Sequence, residues 1–348
     1  MSWQAIWNEG RAFRSPPVVQ TAPLRALTLW LELIVPRRPA PRRGRGVVRD
    51  IPLRLWQGAA GGDRAISLYL IPDGSVRLLH GEIDLCTEPG TLRPGETLGV
   101  RYIACAKGRD DVFEVTNFDQ DRVQILRSGL AIQSTLGDAL PRSDGFLSIA
   151  HVAAVAASAM SATDLPGIEG RALIATVDGA RAIETLRPGD ELLDSQGTPH
   201  PLRWIEARPR LCLGRTAPIR LRAPYFGLRR DLVVTPQTRL LQTGPIVDYL
   251  CGTDAVLASA ADLATGRAVV RDRTKPMRIF YHLMLDDPAC LLVENCPMET
   301  AHLGDVMALG GRQISQAACP VLSDVTPSLP LLDRAAARAL VTAHARAA

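Results

Sequence analysis

Lysine is almost missing from this chain. Only Lys107 and Lys275 stand among its 40 basic residues, the rest being arginine, and the formal net charge is +4. Aromatic residues make up 5% of the sequence, too few to interleave with cations along one face as nucleic-acid binders do. The densest basic run, Pro36 to Arg45, is rich in proline and reads as an exposed linker or arm. A nucleic-acid partner is therefore not expected. Long apolar runs are lacking too. Leu24 to Val35 carries Arg25 and Glu32, and Ile149 to Met160 is far shorter than the roughly 20 residues a membrane-crossing helix needs. That second run reads as a buried helix or an interdomain connector. Met1 to Glu9 has no charged segment leading into an apolar one, so no secretory leader is read there. The expectation is a soluble protein with no membrane partner, cytoplasmic or exported by a leaderless route.

Metal-ligand spacing is also wanting. The seven cysteines, at 86, 105, 212, 251, 290, 296 and 319, form no Cys-x-x-Cys pair and no zinc pattern with the six histidines. They read as reduced thiols in cores, with no disulfide framework, no metal and no cofactor. Cys290 and Cys296 flank a short turn, where packing is the simpler role. Asp84, Asp110 and Asp119 could be offered as calcium ligands, but isolated acids in turns more often cap backbone groups.

What is present is β-pattern. The length of 348 residues allows two domains and a tail. A hydrophobic content of 47% with 22% charged residues suits well-filled cores. Residues 1–157 alternate apolar and polar between turns. Ala65 to Ile71 and Val76 to His80 flank Pro72-Asp73-Gly74-Ser75 as a hairpin. Glu96 to Ala104 and Asp111 to Asn117 form a second pair. This is an all-β sandwich by spacing, and its order resembles a concanavalin-type jelly roll. Residues 158–166, small, polar and ending at Pro166, read as a linker. Residues 306–348 read as a tail whose Ala- and Arg-rich end, from Asp333, forms a short amphipathic or frayed helix.

Between linker and tail, residues 167–305 carry an ordered series. A strand, Leu173 to Thr176, meets an Asp178-Gly179 turn. Leu186-Arg187-Pro188-Gly189-Asp190, Pro201-Leu202-Arg203-Trp204, Asp231 to Gln237 and Tyr281-His282-Leu283 follow. Taken in this order, the motifs resemble the Hint (Hedgehog/intein) domain, in the form bacterial proteins carry. The resemblance implies a β horseshoe after the sandwich. It also implies an ancestral activity, intein-like self-cleavage. In the family a Cys at the domain's first residue attacks the preceding carbonyl, and a Thr-x-x-His block twists the scissile amide and protonates the leaving nitrogen. The chemistry needs a nucleophile near the carbonyl, a proton donor, and donors for the oxyanion.

Laid on this chain, the nucleophile position falls at Gly167, which has no side chain. Thr235 is kept, but the histidine position is Thr238, a hydroxyl that cannot shuttle protons near neutral pH as imidazole can. His282 survives, as a relic base or as a histidine packed at a strand end, while Asp287-Pro288-Ala289 stands where further motif residues are expected. Gly167, Thr235, Thr238 and His282 are thus vestigial positions, and no intact catalytic set is expected. His200, between two prolines, reads as a turn residue. The reading is a Hint-domain protein with a degenerate centre, acting as a structural or binding module toward a protein or glycan partner. The alternatives are self-cleavage by a displaced nucleophile, with Ser161, Thr163, Cys212 and Cys251 as candidates, or a carbohydrate-binding sandwich.

Overall fold

The computed structural model describes residues 3–14, 21–36, 51–108, 111–141, 150–160, 165–264, 266–308 and 326–347. It divides into two units, Met1–Ala162 and Thr163–Ala348. The basic run around Arg42, Asp110, Ser161, Thr163 and Cys319 lie outside the described residues, as does much of the expected linker.

The described residues of the first unit hold eleven strands. They are β1 (Trp3–Asn8), β2 (Arg11–Arg14), β3 (Ala26–Ile34), β4 (Leu53–Gln57), β5 (Ser67–Leu70) and β6 (Val76–His80). Then come β7 (Ile83–Cys86), β8 (Thr97–Cys105), β9 (Val112–Asn117), β10 (Arg122–Leu126) and β11 (Ala150–Ala156). Of these, β3, β8 and β11 are buried along nearly their whole length. A seven-stranded sheet runs β10-β9-β8-β3-β11-β1-β2, and a second sheet holds β4 to β7. One core joins side chains of both sheets, among them Leu29, Tyr102 and Phe113 from the first and Trp56, Ile66 and Leu78 from the second. This is the expected sandwich. Its wiring differs from a jelly roll, because β4 to β7 are an uninterrupted meander that the chain enters and leaves once.

One reading within this unit is corrected. The Ala-rich run is neither helix nor connector: it is strand β11, hydrogen-bonded between β1 and β3. Its small side chains suit a central strand with neighbours on both sides, and pairing overrides the helix preference of alanine. Asp84 and Asp119, weighed above as calcium ligands and set aside, have partners within the protein. Asp84 pairs with Arg77 at 2.5 Å, and Asp119 accepts from the backbone N–H of Thr97.

The second unit is one antiparallel network of thirteen strands. It comprises β12 (Ile168–Glu169), β13 (Leu173–Thr176), β14 (Gly179–Ala182), β15 (Glu191–Leu193), β16 (Pro199–Leu211), β17 (Ile219–Leu221) and β18 (Leu232–Val234). It continues with β19 (Arg239–Thr243), β20 (Ala255–Ser259), β21 (Val269–Arg271), β22 (Met277–Leu285), β23 (Cys290–Val293) and β24 (Cys296–Glu299). The order is β20-β19-β24-β23-β13-β15-β16-β22-β12-β18-β17-β21, with β14 on β13. The 13-residue β16 links the two halves, pairing β15 near its start and β22 along its length. His200 belongs to β16 rather than to a turn, opposite Leu192, with its Nε2 3.1 Å from Asp194. The tail is folded onto this unit. Leu331 bridges Leu257 of β20, and the helix Arg334–Ala347 buries Ala337 and Leu340. No helix among the described residues is long and apolar enough to cross a membrane.

Candidate functional site

Strand register assembles the site. Ile168 of β12 pairs antiparallel with Val234 of β18 and with Tyr281 of β22. One step outward, Gly167 must face Thr235 on one side and His282 on the other. Thr235-Pro236-Gln237-Thr238 is a β-turn closed by the Thr238 N–H on the Thr235 carbonyl at 3.1 Å. Proline holds the second position, where its fixed φ fits. The turn brings both threonine hydroxyls to the same place, 3.1 Å apart.

All four expected positions therefore meet, and all are buried. They surround the peptide bond between Pro166 and Gly167. Its carbonyl oxygen lies 2.9 Å from Nδ1 of His282. A carbonyl can only accept, so Nδ1 carries the proton. On the other side of the bond, the Gly167 N–H donates to Thr238 Oγ1 at 3.1 Å. The Gly167 carbonyl accepts from the Thr235 N–H at 2.9 Å and from the Thr238 hydroxyl at 3.0 Å. Thr235 Oγ1 reaches the Leu165 carbonyl at 3.0 Å. Two hydroxyl protons thus share three oxygen contacts, a closed network with little to spare for an added group.

Glycine at 167 answers a demand for space. A Cβ there would sit 2.6 Å from Cε1 and 2.7 Å from Nδ1 of His282, and 3.1 Å from Thr235 Cγ2. The imidazole occupies the volume in which a nucleophile's side chain would begin. A small cavity beside the junction is lined by Gly167, Thr238, Tyr281, Leu283, Met298 and Thr300, among others. Hydroxyls but no thiol face it. Cys212 packs with Val233 and Phe280 and points its thiol at the Arg210 carbonyl. Cys251 closes the helix Pro245–Cys251. Burial pushes the thiols of Cys290 and Cys296 up to about 12, far from a reactive thiolate. Among the described residues no cluster of three or more His, Cys, Asp or Glu side chains could hold a metal ion.

Residues that no motif pointed to stand behind this network. Arg239, directly after Thr238, pairs with Glu299 and also donates to Asp305 and to the Thr300 carbonyl. Burial opposes its charge, but the Asp305 and Glu299 carboxylates outweigh burial and hold its pKa above the ordinary value. Burial also lowers the pKa of His302, whose Nδ1 accepts the Asp305 N–H at 3.3 Å. Arg239 and Glu299 sit on strands β19 and β24, whereas Asp305 lies in the short helix Leu303–Ala308, so no local pattern joins them.

The model of the family described as "Hint domain" matches residues 168–305, beginning one residue after Gly167. Residues 168–305 are a Hint domain. A solved structure, the crystal structure of the MchDnaB-1 intein (N145AA), is 18% identical over 38% of this chain and 99% of the intein, with a TM-score of 0.26. No curated protein matches the chain. The Hint match covers the strands that build the junction, from β12 through β24, together with the buried pair Arg239–Glu299.

Proposed function

We propose that this Hint domain is silent in self-processing and that the protein serves as a structural or binding module. The observation that carries the reading is the imidazole of His282 in the side-chain space of Gly167. An acyl shift needs a thiol or hydroxyl within reach of the Pro166 carbonyl and a donor to expel the amide nitrogen. Gly167 supplies no such group. At the nitrogen stands the Thr238 hydroxyl, which exchanges protons far less readily than imidazole near neutral pH. His282 alone retains an electrophilic role, since its Nδ1–H would favour charge on the Pro166 oxygen. One such donor without a nucleophile leaves the amide as it is.

A second reading is supported by that same polarised peptide: self-cleavage by a nucleophile brought from elsewhere. Against it stand the positions of Cys212 and Cys251, neither of which lines the cavity at the junction. Hydroxylamine distinguishes the two, because it traps an ester or thioester but not an amide. Peptide mapping after such treatment should give no hydroxamate on Pro166. A hydroxamate there would favour the displaced nucleophile.

A further inference from the structure

Ser328 lies beyond the residues matched by the Hint family, yet it is tied to the centre. Its backbone N–H and its hydroxyl both donate to Glu299 Oε1, at 2.6 and 2.7 Å. The other carboxylate oxygen takes the Nε–H of Arg239. The Glu299 side chain has 0% exposure, so water cannot replace a donor that is lost, and a buried carboxylate oxygen without a donor is strongly disfavoured. Arg239 sits opposite Glu299 across β19 and β24 and immediately follows Thr238. The Thr238 hydroxyl in turn receives the Gly167 N–H. A continuous chain of charge-assisted bonds runs from Ser328 to the residue beside the junction turn.

The segment carrying Ser328 is itself fixed. The Leu257 N–H donates to the Pro330 carbonyl and the Leu332 N–H to the Leu257 carbonyl, both at 2.8 Å. Ala337 and Leu340 are buried in the unit's apolar clusters. We propose that Ser328–Leu340 is a latch that holds the Gly167–Thr238 junction closed, with Ser328 as its positioning residue. The functional unit then extends past the matched residues into the C-terminal helix. The latch is independent of whether the centre is silent, because it concerns opening and not bond cleavage.

Residue-resolved amide exchange on the full chain tests it. Ser328→Pro removes both donors, whereas Ser328→Thr keeps both. The latch predicts that Ser328→Pro speeds exchange at Gly167, Thr235 and Thr238 by about tenfold or more, an opening of the junction alone. Val270, on β21 at the end of the strand order, should keep its rate, and Ser328→Thr should match the wild type. Unchanged junction amides in Ser328→Pro, equal acceleration everywhere in the unit, or a Ser328→Thr chain that behaves like the proline variant would each overturn the latch. Should Ser328→Pro not fold, Ser328→Ala decides: it loses the hydroxyl only and should show a smaller rise confined to the same amides. No rise there would overturn the proposal. No outcome depends on cleavage, so the latch and the silent centre fail separately.

Discussion

At the scale of single residues, Gly167 and His282 define the centre. Replacing a glycine of ordinary φ by alanine usually stabilises by about 0.4–1 kcal/mol, through the unfolded chain. Here the added methyl would fall 2.6–2.7 Å from the His282 ring. Moving the ring would cost its bond to the Pro166 carbonyl. Overpacking of about 1–3 kcal/mol outweighs the entropy gain. Gly167→Ala should therefore lower the stability of the second unit in urea unfolding, and should cost at least ~1 kcal/mol less in a His282→Ala background. Additive losses would show that the ring does not occupy that space. The order of short motifs was enough to single out Gly167, Thr235, Thr238 and His282, because each motif spans only a few residues. Occupation of the Gly167 space by the ring was not legible, since it follows from the pairing of Ile168 with both Val234 and Tyr281. Ser328 was illegible for a similar reason. Its partner Glu299 lies 29 residues away and belongs to no motif.

At the scale of elements, turn chemistry made hairpins readable and pairing decided the rest. Asp178-Gly179 and Pro72 to Ser75 mark real turns, with Gly179 at φ 104° and Gly74 at φ 86°. The Ala-rich β11 was misread because alanine favours helix in isolation, while the strand's place between β1 and β3 is a non-local fact. A clamp of charged groups ties β17, β21 and β22 together. Asp272, just past β21, accepts from Arg220 of β17 and from Arg278 of β22 at 2.5 and 2.7 Å. Burial alone would raise its pKa. Hydrogen bonds from the Thr274 side chain and backbone, with the Arg278 charge and the Arg220 bond, outweigh that and hold it at about 2. The folded value lies below the unfolded one, so Asp272 adds stability above about pH 4 and loses it as pH falls toward 2. The drop in ΔG of unfolding from pH 6 to pH 2 should be roughly 2 kcal/mol smaller in Asp272→Asn than in the wild type. Identical pH profiles would remove Asp272 as a clamp. The same variant should be less stable by about 1.5–3 kcal/mol at pH 6, because Arg220 and Arg278 lose a charged acceptor while keeping Asp231 and Glu169 as partners.

At the scale of the whole molecule, each unit encloses its own apolar core, one built around Leu29, Trp56 and Phe113, the other around Ile174, Leu202 and Val234. Units with separate cores should unfold separately. Residues 1–162 and 163–348, expressed apart, should each give a co-operative thermal transition. A fragment that fails to fold alone would mean that its core is completed by the other. A silent centre means that the junction is a stable amide with no nucleophile to open it. Intact-mass spectrometry of the full chain, with and without added thiol over prolonged incubation, tests this most directly. A single unchanged mass of 37.6 kDa is expected. A thiol-dependent fragment running from Gly167 to Ala348 would contradict it.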